Sequence, residues 1–511
     1  MTLTTELSPF AQTSAENVAF VKNKELWSYG RLASEVERLG RGLVQRGIRP
    51  GDRIALHMAN LPELVVAYYA CFRIGAIAAP LNTRFKTAEL RPLLQRLRPA
   101  LYIGQAALYS QVAPIDSSTL GSNCRFIVDG AVNDSRVQPW KGLFAERNGE
   151  PLKAALDTHA PAVLLTTSGT TGQPKFVTHT LATLSKTAES LQYWDLDSEQ
   201  ISTLFCPMAH ASGLFTMVAC LQLGAPFVLI ERFDPDAILD AIERHRCTWV
   251  LGLPFMFAAL VQQQQATERD VNSLRTCLVA GDVCPARLQE QFLSTFGAPL
   301  RSIWASTEAS GSLTYSLQSG QVTRIARGAQ VRLVDDHDLP VPRGQVGELV
   351  ISGAHVTLGY WAGPGQIIDA RKEGWYHTGD LMRQDNKGDL WFVSRKKHLI
   401  IRGGSNISPV EVERVLMAHP AVRDAAVVGV PDPDLGERVA GIVQLVESAR
   451  SVNPDEILDF VTERLADYKV PETLEIVEQI PRNTLGKIDR QSVLKSVLKW
   501  AEPSAELIPV I

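Results

Sequence analysis

The densest group of residues able to bind an oxyanion lies in the sequence PAVLLTTSGTTGQPKFVTHT, at residues 161–180. Hydroxyl side chains, glycines and a lysine follow an apolar stretch there: Thr167, Ser168, Gly169, Thr170, Thr171, Gly172 and Lys175. Hydroxyls and glycine N–H groups can donate to phosphate oxygens, and the lysine adds positive charge. No Ser or Thr directly follows the lysine, so the spacing disfavours a Walker loop and the kinases and GTPases that use one. The segment alone is compatible with a polyphosphate loop and with an ordinary polar surface loop.

Four further segments contain charged or aromatic residues that could act on a nucleotide. They are IWASTEAS (303–310), GWYHTGDL (374–381), VSRKKHLIIRGGSNISPVEVE (393–413) and PRNTLGKIDR (481–490). Taken singly, a Thr-Glu pair, a Thr-Gly-Asp turn or a lone lysine is typical of ordinary surface structure. In this order, and together with the phosphate loop, they resemble the adenylate-forming superfamily, which contains acyl-CoA synthetases, adenylation domains of peptide synthetases and firefly luciferase. The resemblance covers nearly the whole chain, because LPELVVAYYACFRIGAIAAPLN (61–82) also looks like a family segment.

The resemblance implies an α/β fold with a large N-terminal domain and a small mobile α+β C-terminal domain, with ATP bound between them. We expect the first domain at residues 1–394, with parallel-rich sheets and a small β-barrel-like subdomain at about 328–394. The lid is expected at residues 395–511, with a hinge near Lys397.

The sequence pattern favours the same architecture. The segment RLASEVERLGRGLVQRG has helical periodicity, and the strand-like DRIALHMA follows it. CTWVLGLP, TCLVAGD and PLRSIWAST each pass from apolar into small or polar residues, as strands do where they end at a ligand crevice. The alternating segments AQVRLVDD and GELVISG predict a small antiparallel sheet or barrel.

The chemistry implied by the resemblance has two steps. A substrate carboxylate attacks the α-phosphorus of ATP, which gives an acyl-adenylate and pyrophosphate, and a thiol then attacks the adenylate. The first step needs no protein base, because a carboxylic acid is already ionised at pH 7. The enzyme's task is therefore to position anions and to stabilise the charge that develops at phosphorus.

The resemblance also assigns roles to individual residues of the large domain. The loop from Thr167 to Lys175 holds the β- and γ-phosphates, and Thr167 is counted with the catalytic residues. Glu308 helps to hold Mg²⁺, for which one carboxylate together with phosphates is a suitable ligand set. Thr307 touches the α-phosphate. Trp304 stacks on the adenine, and Ala305, at the nucleotide site, lies where the substrate carboxylate meets the acyl pocket.

The resemblance also assigns roles to residues of the C-terminal motifs. Asp380 binds the ribose diol, and Arg395 reaches the ribose or a phosphate. Lys487 acts only when the lid closes, as an ammonium that bridges the carboxylate and the α-phosphate. For the thiol step Lys397 matches the hinge position, and Gly403 and Gly404 line the tunnel for the pantetheine arm.

Candidate acyl-pocket residues come from CPMAHASGLF, LGLPFMF and LVAGDVC. They are His210, Ser212, Phe215, Phe255, Met256, Gly281 and Asp282. The set is mostly apolar and partly aromatic, and these segments contain no arginine, which a dicarboxylate would require. We therefore expect an apolar or aromatic acid. Phe176, Ser394 and His398 depart from residues common in relatives, but none of these departures removes a charged participant.

Composition limits the remaining possibilities. The chain of 511 residues is 45% hydrophobic and has a net charge of −4, so it lacks the basic excess typical of nucleic-acid binders. Seven cysteines without a C-x-x-C spacing indicate reduced, buried thiols. The N-terminus lacks the features of a secretory signal, and the apolar stretch at 215–230 is too short to span a bilayer. We expect a cytoplasmic protein without stable membrane insertion, either monomer or homodimer.

The leading hypothesis is an AMP-forming acyl-CoA ligase that uses a carboxylic acid, ATP, Mg²⁺ and coenzyme A. It rests on all five motifs and on a length that leaves no room for an appended carrier domain. A stand-alone enzyme that loads an acyl or aminoacyl group onto a carrier protein is the alternative. Luciferase activity is disfavoured, because the terminal IPVI is not a peroxisomal signal. A catalytically inactive nucleotide sensor is disfavoured because Lys175, Glu308, Asp380, Arg395 and Lys487 are all present.

Overall fold

The structure is a computed structural model. It describes residues 15–116, 119–120, 125–146, 149–152, 157–167, 174–281, 284–309, 315–316, 321–323, 325–402, 405–432, 435–449, 452–483 and 486–501. The chain divides into two compact units. The first contains Met1–Gln318, Arg324–Val331 and Ile351–His377, and the second contains Ser319–Thr323, Arg332–Val350 and Thr378–Ile511.

The strands are numbered in chain order. The first fourteen are β1 Val18–Lys22, β2 Glu25–Ser28, β3 Arg53–His57, β4 Ile77–Pro80, β5 Leu101–Gly104, β6 Arg125–Ile127, β7 Val137–Pro139, β8 Pro161–Thr167, β9 Lys175–Thr180, β10 Ser202–Leu204, β11 Phe227–Leu229, β12 Trp249–Gly252, β13 Thr276–Val279 and β14 Leu300–Ile303. The others are β15 Tyr315–Ser316, β16 Gln321–Val322, β17 Gln330–Val334, β18 Val346–Ser352, β19 Gly359–Gly363, β20 Gln366–Ile368, β21 Arg371–Lys372, β22 Trp375–Gln384, β23 Leu390–Arg395, β24 Ile400–Arg402, β25 Ser405–Ile407, β26 Val422–Asp432, β27 Gly436–Leu445 and β28 Thr473–Ile476.

The α-helices of the described residues are α1 Tyr29–Gln45, α2 Pro62–Ile74, α3 Thr87–Leu97, α4 Ala106–Tyr109, α5 Leu181–Gln192, α6 Ala211–Leu223, α7 Pro235–His245, α8 Pro254–Ala266, α9 Ala286–Phe296, α10 Pro409–Met417, α11 Pro454–Thr462 and α12 Arg490–Ala501. Short 3₁₀ turns occur at Trp140–Leu143, Lys396–His398, Glu447–Ala449 and Asp467–Lys469. None of the helices in the described part of the chain is both long and apolar enough to cross a membrane.

The first unit is built on two mixed sheets. One has the strand order β15-β14-β13-β12-β10-β11-β1-β2, and the other has the order β20-β19-β9-β8-β4-β3-β5-β6-β7. The segments CTWVLGLP, TCLVAGD and PLRSIWAST form β12, β13 and β14, which pair in parallel as neighbours. The strand predictions for these segments are therefore confirmed, and the carboxyl ends of these strands meet at one edge of the sheet.

Helix α2 shows why the interior of the first unit is so apolar. It begins with Pro62 at its first turn and ends at Gly75, whose φ of 72° is the left-handed conformation favoured by glycine. Nearly all of its side chains are buried, so it lies inside the large apolar core formed with residues of both sheets. A helix that is apolar on all sides is typical of such a position.

The thiols of this unit support the expectation of reduced cysteines. Cys71, Cys206, Cys220, Cys247, Cys277 and Cys284 are free and buried. Burial raises the pKa of the Cys71 thiol to about 12, so it stays protonated and behaves as a small apolar side chain. Cys124 lies outside the described residues.

The second unit contains two mainly antiparallel sheets. The order of one is β16-β23-β22-β18-β17, and that of the other is β25-β24-β27-β26 with β28 beside β27. In the long β26–β27 hairpin, alternate side chains bury on opposite faces. Val427 and Val439 pack with α10 and α11, whereas Ala426 and Ile442 pack with α12. Ser408 caps α10, because its side chain accepts a hydrogen bond from the Glu411 N–H, 3.3 Å away.

Candidate functional site

The ends of the phosphate loop meet at one point in the first unit. Thr167, the last residue of β8, lies directly opposite Lys175, the first residue of β9, in an antiparallel pair. The predicted loop residues Ser168, Gly169, Thr170, Thr171 and Gly172 lie between these ends, outside the described residues. The hairpin therefore presents Thr167 and Lys175 at the same edge of its sheet.

Phe176, the departure next to Lys175, belongs to the core. It is fully buried, and the guanidinium carbon of Arg96 lies 4.8 Å from its ring centroid. Phe176 also pairs with Trp361 across β9 and β19. The bulky residue therefore fills the space beneath the hairpin and removes no group from the loop.

Thr307 and Glu308 follow the end of β14, and backbone contacts hold them beside the β8–β9 hairpin. The Nε2 atom of His179, on β9, lies 2.7 Å from the carbonyl oxygen of Thr307. The N–H of Thr357 donates to the carbonyl oxygen of Glu308 over 2.7 Å. Thr357 in turn lies next to β19, which pairs with β9. Thr167, Lys175, Thr307 and Glu308 therefore belong to one connected group of backbone segments.

His179 is buried, and its surroundings fix its protonation state. Burial lowers its pKa to about 4, so the ring is neutral at pH 7. Because Nε2 faces a carbonyl oxygen, this nitrogen carries the proton and donates, and the unprotonated Nδ1 lies 3.2 Å from the Thr183 hydroxyl oxygen. The ring also stands edge-on to Phe215, with centroids 5.4 Å apart. His179 thus links the Thr307 segment to a candidate acyl-pocket residue.

Tyr360 connects the two charged residues of this group. Its ring centroid lies 4.7 Å from Lys175 Nζ, and its hydroxyl lies 3.4 Å from Glu308 Oε1. In the β9–β19 pair Tyr360 lies opposite Val177, so it is the diagonal neighbour of Lys175 on the same face. Trp304 is half-buried and Ala305 is exposed at the end of β14.

The acyl-pocket candidates follow the carboxyl ends of neighbouring strands. Ser212 and Phe215 lie at the start of α6 and His210 caps it, after β10, while Phe255 and Met256 begin α8 after β12. Gly281 follows β13 with a φ of 89°, and Asp282 lies outside the described residues. Since β10, β12, β13 and β14 are adjacent in the sheet, the sequence-predicted residues are brought to one edge.

Phe255, one of these candidates, packs against further phenylalanine side chains. Phe255 contacts Phe233 edge-on at 5.7 Å, and Phe233 lies 6.2 Å from the buried Phe205. The residues near this edge are therefore largely apolar. A separate cleft of about 360 Å³ contains none of the predicted site residues and is lined by Glu189, Ser190, Gln192, Tyr193, Arg327 and His355.

The Thr-Gly-Asp motif of the second unit forms a fixed turn within β22. The Thr378 hydroxyl donates to the Leu349 carbonyl over 2.8 Å and accepts from the Asp380 N–H at 3.0 Å. Gly379 has a φ of 71°, and its N–H donates to Glu348 Oε1 over 3.1 Å. The turn points Asp380 toward Arg395, its cross-strand partner on β23.

Asp380 and Arg395 form an ion pair. Arg395 Nε lies 2.6 Å from Asp380 Oδ1, and the Asp380 side chain is only 2% exposed, whereas that of Arg395 is 40% exposed. The two residues predicted to bind the ribose are therefore brought together within one unit. Arg395 thus supplies the charged partner that a buried carboxylate requires.

The predicted hinge follows Arg395 in a 3₁₀ turn, Lys396–His398. Lys396 Nζ contacts Asp336 at 2.8 Å and Glu348 at 3.2 Å. Burial, and then the charges of Arg395 and Lys487, lower the pKa of Lys397. Lys397, Arg395 and Lys487 therefore lie close enough for their charges to interact. Gly403 and Gly404, predicted for the thiol tunnel, lie outside the described residues.

Lys487 is presented by a tight loop. Its N–H donates to Asn483 Oδ1 over 3.1 Å, and its carbonyl oxygen accepts from the Asn483 N–H at 2.8 Å. Gly486 precedes it with a φ of 77°. Arg490, at the start of α12, forms an ion pair with the buried Glu413 and fixes the segment that follows. The lysine thus stands on a backbone held by local hydrogen bonds.

The described side chains do not make a metal centre by themselves. Among the described residues, no group of three or more His, Cys, Asp or Glu side chains is arranged to hold a metal ion. A magnesium ion that is bound by one carboxylate together with substrate phosphates and water needs no such group. Glu308, half-buried and in contact with Tyr360, fits that ligand set.

The sequence motifs do not predict three residues that contact and orient the expected site residues: His179, Tyr360 and Glu348. Each acts through a contact between segments far apart in the chain, so no local motif identified it. The only local signal was the position of His179, shortly after the phosphate loop.

Known proteins match almost the whole chain. The model of the AMP-binding enzyme family matches residues 8–361, and that of the AMP-binding enzyme C-terminal domain matches residues 411–487. A feruloyl-CoA synthase from Amycolatopsis sp. is 32% identical over 90% of this chain and 92% of its own length. A medium-chain fatty-acid–CoA ligase from Escherichia coli K12 is 32% identical over 96% of this chain and 89% of its own.

A solved structure agrees with these sequence matches. The o-succinylbenzoate-CoA synthetase from Bacillus subtilis, in complex with its acyl-adenylate intermediate, has a TM-score of 0.80 and 26% identity. The match covers 96% of this chain and 97% of that one. The predicted fold class and the predicted enzyme class, an adenylate-forming acid–thiol ligase, are confirmed. The chain belongs to the AMP-binding enzyme family.

Proposed function

We propose that the chain joins an apolar or aromatic carboxylic acid to coenzyme A, with ATP cleaved to AMP and pyrophosphate. The observation that supports this proposal is a link, through His179, between the segment of Thr307 and Glu308 and one of the aromatic acyl-pocket candidates. His179 belongs to both groups, since it contacts Thr307 and Phe215. A site that brings an apolar acid to a polyphosphate needs such a junction.

In the first step, the substrate carboxylate attacks the α-phosphorus and pyrophosphate leaves. Thr167 and Lys175 would hold the departing phosphates, and Thr307 would donate to the α-phosphate. No side chain needs to remove a proton, because the acid enters as its anion. The residues 168–172 would add hydroxyl and backbone donors to the same phosphates.

Magnesium fits this step through Glu308. The ion would supply positive charge to the phosphate oxygens as the bond to pyrophosphate breaks. Glu308 is the carboxylate that would hold it, with the remaining ligands from phosphates and water. Trp304 would stack on the adenine from the end of β14, and Ala305 would lie beside the nucleotide.

Residues of the second unit would have further roles in the reaction. Asp380 would accept from the ribose hydroxyls, with Arg395 beside it to reach a ribose or phosphate oxygen. Lys487 would bridge the carboxylate and the α-phosphate in the first step. We propose a boundary between residues 394 and 395 and a hinge at Lys397, so that Lys487 withdraws before the thiol step. The pantetheine arm would then pass Gly403 and Gly404.

The proposed class of carboxylic acid follows from the residue types of the acyl-pocket candidates. His210, Ser212, Phe215, Phe255, Met256, Gly281 and Asp282 come from segments without an arginine or lysine. Two curated relatives are a feruloyl-CoA synthase and a medium-chain fatty-acid–CoA ligase, which supports an aromatic or medium-length apolar acid. We expect the enzyme to work in the cytoplasm, as a monomer or a homodimer.

An AMP-release assay across a panel of acids tests the proposal. The panel contains hydroxycinnamic, arylacetic, medium-chain and dicarboxylic acids, each with and without coenzyme A. We expect coenzyme A-dependent AMP release with the aromatic or medium-chain acids and none with the dicarboxylates. Adenylate formation without a thioester to coenzyme A, but with transfer to a purified carrier protein, would instead favour the carrier-loading alternative.

A further inference from the structure

Tyr360 is placed between the two oppositely charged residues of the first unit's site. Its ring face lies against Lys175, with Nζ 4.7 Å from the centroid, and its hydroxyl reaches Glu308 Oε1 at 3.4 Å. A tyrosine can make both contacts at once, because the ring face attracts a cation and the hydroxyl edge donates to an anion. Phenylalanine could make only the first contact.

The backbone around Tyr360 is held firmly. The Thr357 hydroxyl accepts from the Gly359 N–H at 3.2 Å and lies within hydrogen-bonding distance of the Thr178 carbonyl. Gly359 has a φ of 142°, and a Cβ there would lie 2.3 Å from the Ile368 carbonyl oxygen. Only glycine fits that position, so β20 packs directly against the backbone that precedes Tyr360.

The phenol keeps its proton. Burial raises the pKa of Tyr360 well above its ordinary value, and the Glu308 charge raises it further. Tyr376 also forms a side-chain hydrogen bond with Tyr360. A neutral phenol has one proton to donate, and Glu308 Oε1 lies within its reach.

We propose that Tyr360 is a positioning residue that aims the Glu308 carboxylate at the metal position while its ring holds the Lys175 ammonium at the phosphates. This inference rests on the proposed roles of Glu308 and Lys175. Carboxylates that bind metals are commonly held by a second hydrogen-bonding partner, and loss of that partner weakens metal binding. The two functions of Tyr360 are separable, because the hydroxyl serves Glu308 and the ring serves Lys175.

The test uses the full chain with the variants Tyr360→Phe and Tyr360→Leu. Binding of α,β-methylene-ATP is measured by calorimetry over a series of Mg²⁺ concentrations, without acid or coenzyme A. For Tyr360→Phe we expect the Mg²⁺ concentration at half-saturation to rise about tenfold, while nucleotide affinity at saturating Mg²⁺ changes less than about twofold. Tyr360→Leu should in addition lose about threefold to tenfold in nucleotide affinity at saturating Mg²⁺.

Tyr29→Phe is the matched control. Tyr29 is a buried tyrosine of the same unit, and its hydroxyl donates to the Leu221 carbonyl over 3.1 Å. The Tyr29→Phe variant should leave the Mg²⁺ concentration at half-saturation unchanged, even if the substitution lowers the thermal stability of the protein. The variant Glu308→Gln gives a second comparison, because Tyr360→Phe should add little to its Mg²⁺ defect if the hydroxyl acts through this carboxylate.

The proposal is overturned if Tyr360→Phe shifts Mg²⁺ half-saturation no more than Tyr29→Phe does. It is also overturned if the phenylalanine and leucine variants lose equal nucleotide affinity, or if the wild type shows no Mg²⁺-dependent nucleotide binding. Failure of the proposed function has a different result: the wild type would bind the Mg²⁺-nucleotide complex normally but form no acyl-CoA with any acid.

Discussion

The Nε2 atom of His179 donates to the carbonyl oxygen of Thr307 over 2.7 Å. This bond joins the strand after the phosphate loop to the segment that contains Glu308. Because the imidazole is buried and neutral, the contact is a hydrogen bond without a charged partner. His179 therefore sets the distance between two motifs that are far apart in the chain.

Loss of this donor should impair adenylate formation. We expect His179→Phe, which keeps a ring next to Phe215, to lower the rate of acid-dependent ATP–pyrophosphate exchange at saturating substrates about tenfold or more. It should also lower the free energy of unfolding by about 1–3 kcal/mol, because a buried carbonyl loses its partner. His179→Gln keeps an N–H donor and should restore part of the rate. Equal rates for the two variants would contradict a positioning role.

Two buried histidines should make the first unit sensitive to acid. The pKa values of His57 and His179 are lowered from 6.5 to about 4 by burial. Between these values the unfolded chain binds more protons than the folded chain, so the free energy of unfolding falls as pH decreases from about 6.5 toward about 4. Each histidine contributes about 3 kcal/mol to this loss when the whole interval is crossed.

Urea unfolding followed by tryptophan fluorescence between about pH 7 and about pH 5 measures this dependence. His179→Gln should flatten the slope of stability against pH, whereas the exposed His337, changed to Gln, should leave it unchanged. A slope that is the same in both variants would show that His179 does not titrate in this interval.

Glu348 should affect nucleotide affinity although it is not expected to touch the nucleotide. It accepts from the Gly379 N–H, next to Asp380, and from Lys396 Nζ, next to Arg395. Glu348→Ala should raise the KM for ATP several-fold with a smaller change in kcat, because the turn that aims Asp380 is loosened. Glu348→Gln keeps the acceptor for Gly379 and should lie between alanine and wild type.

Asp336→Asn is the control for the contact with Lys396. Asp336 is 83% exposed and its ion pair with Lys396 is on the surface, so its loss should hardly change the KM for ATP. Steady-state kinetics with ATP varied at saturating acid and coenzyme A compares the three variants. An effect of Asp336→Asn as large as that of Glu348→Ala would assign the role to the Lys396 charge instead of the turn.

Substitution of Lys487 should affect adenylate formation but not the thioester-forming half-reaction. We expect Lys487→Ala to reduce adenylate formation by at least about a hundredfold, because it removes charge from the developing transition state. Synthesis of the thioester from chemically prepared acyl-adenylate should stay near the wild-type rate. Lys495→Ala, on the exposed side of α12, should change neither reaction. Equal loss of both half-reactions in Lys487→Ala would mean that the lysine supports structure.

Much of this protein could be predicted from local patterns. Strands β12, β13 and β14 and helix α1 follow from apolar periodicity, which is a property of neighbouring residues. The motif residues Asp380 and Arg395 were predicted for the same ligand, and the β22–β23 register brings them together. The packing role of Phe176 could not be predicted from local patterns, because its partner Arg96 lies on α3, far away in the chain.

The motifs in the amino-acid sequence indicate the enzyme class through their resemblance to a known family, and they supply the residue types that can bind phosphate, metal and ribose. Those features depend on side-chain chemistry and short spacings, which the chain carries before it folds. Folding determines which side chains contact the motif residues: His179 for Thr307, Tyr360 for Lys175 and Glu308, and Glu348 for the turn at Gly379. These contacts depend on strand register between distant segments, and register is set by the packing of the whole sheet.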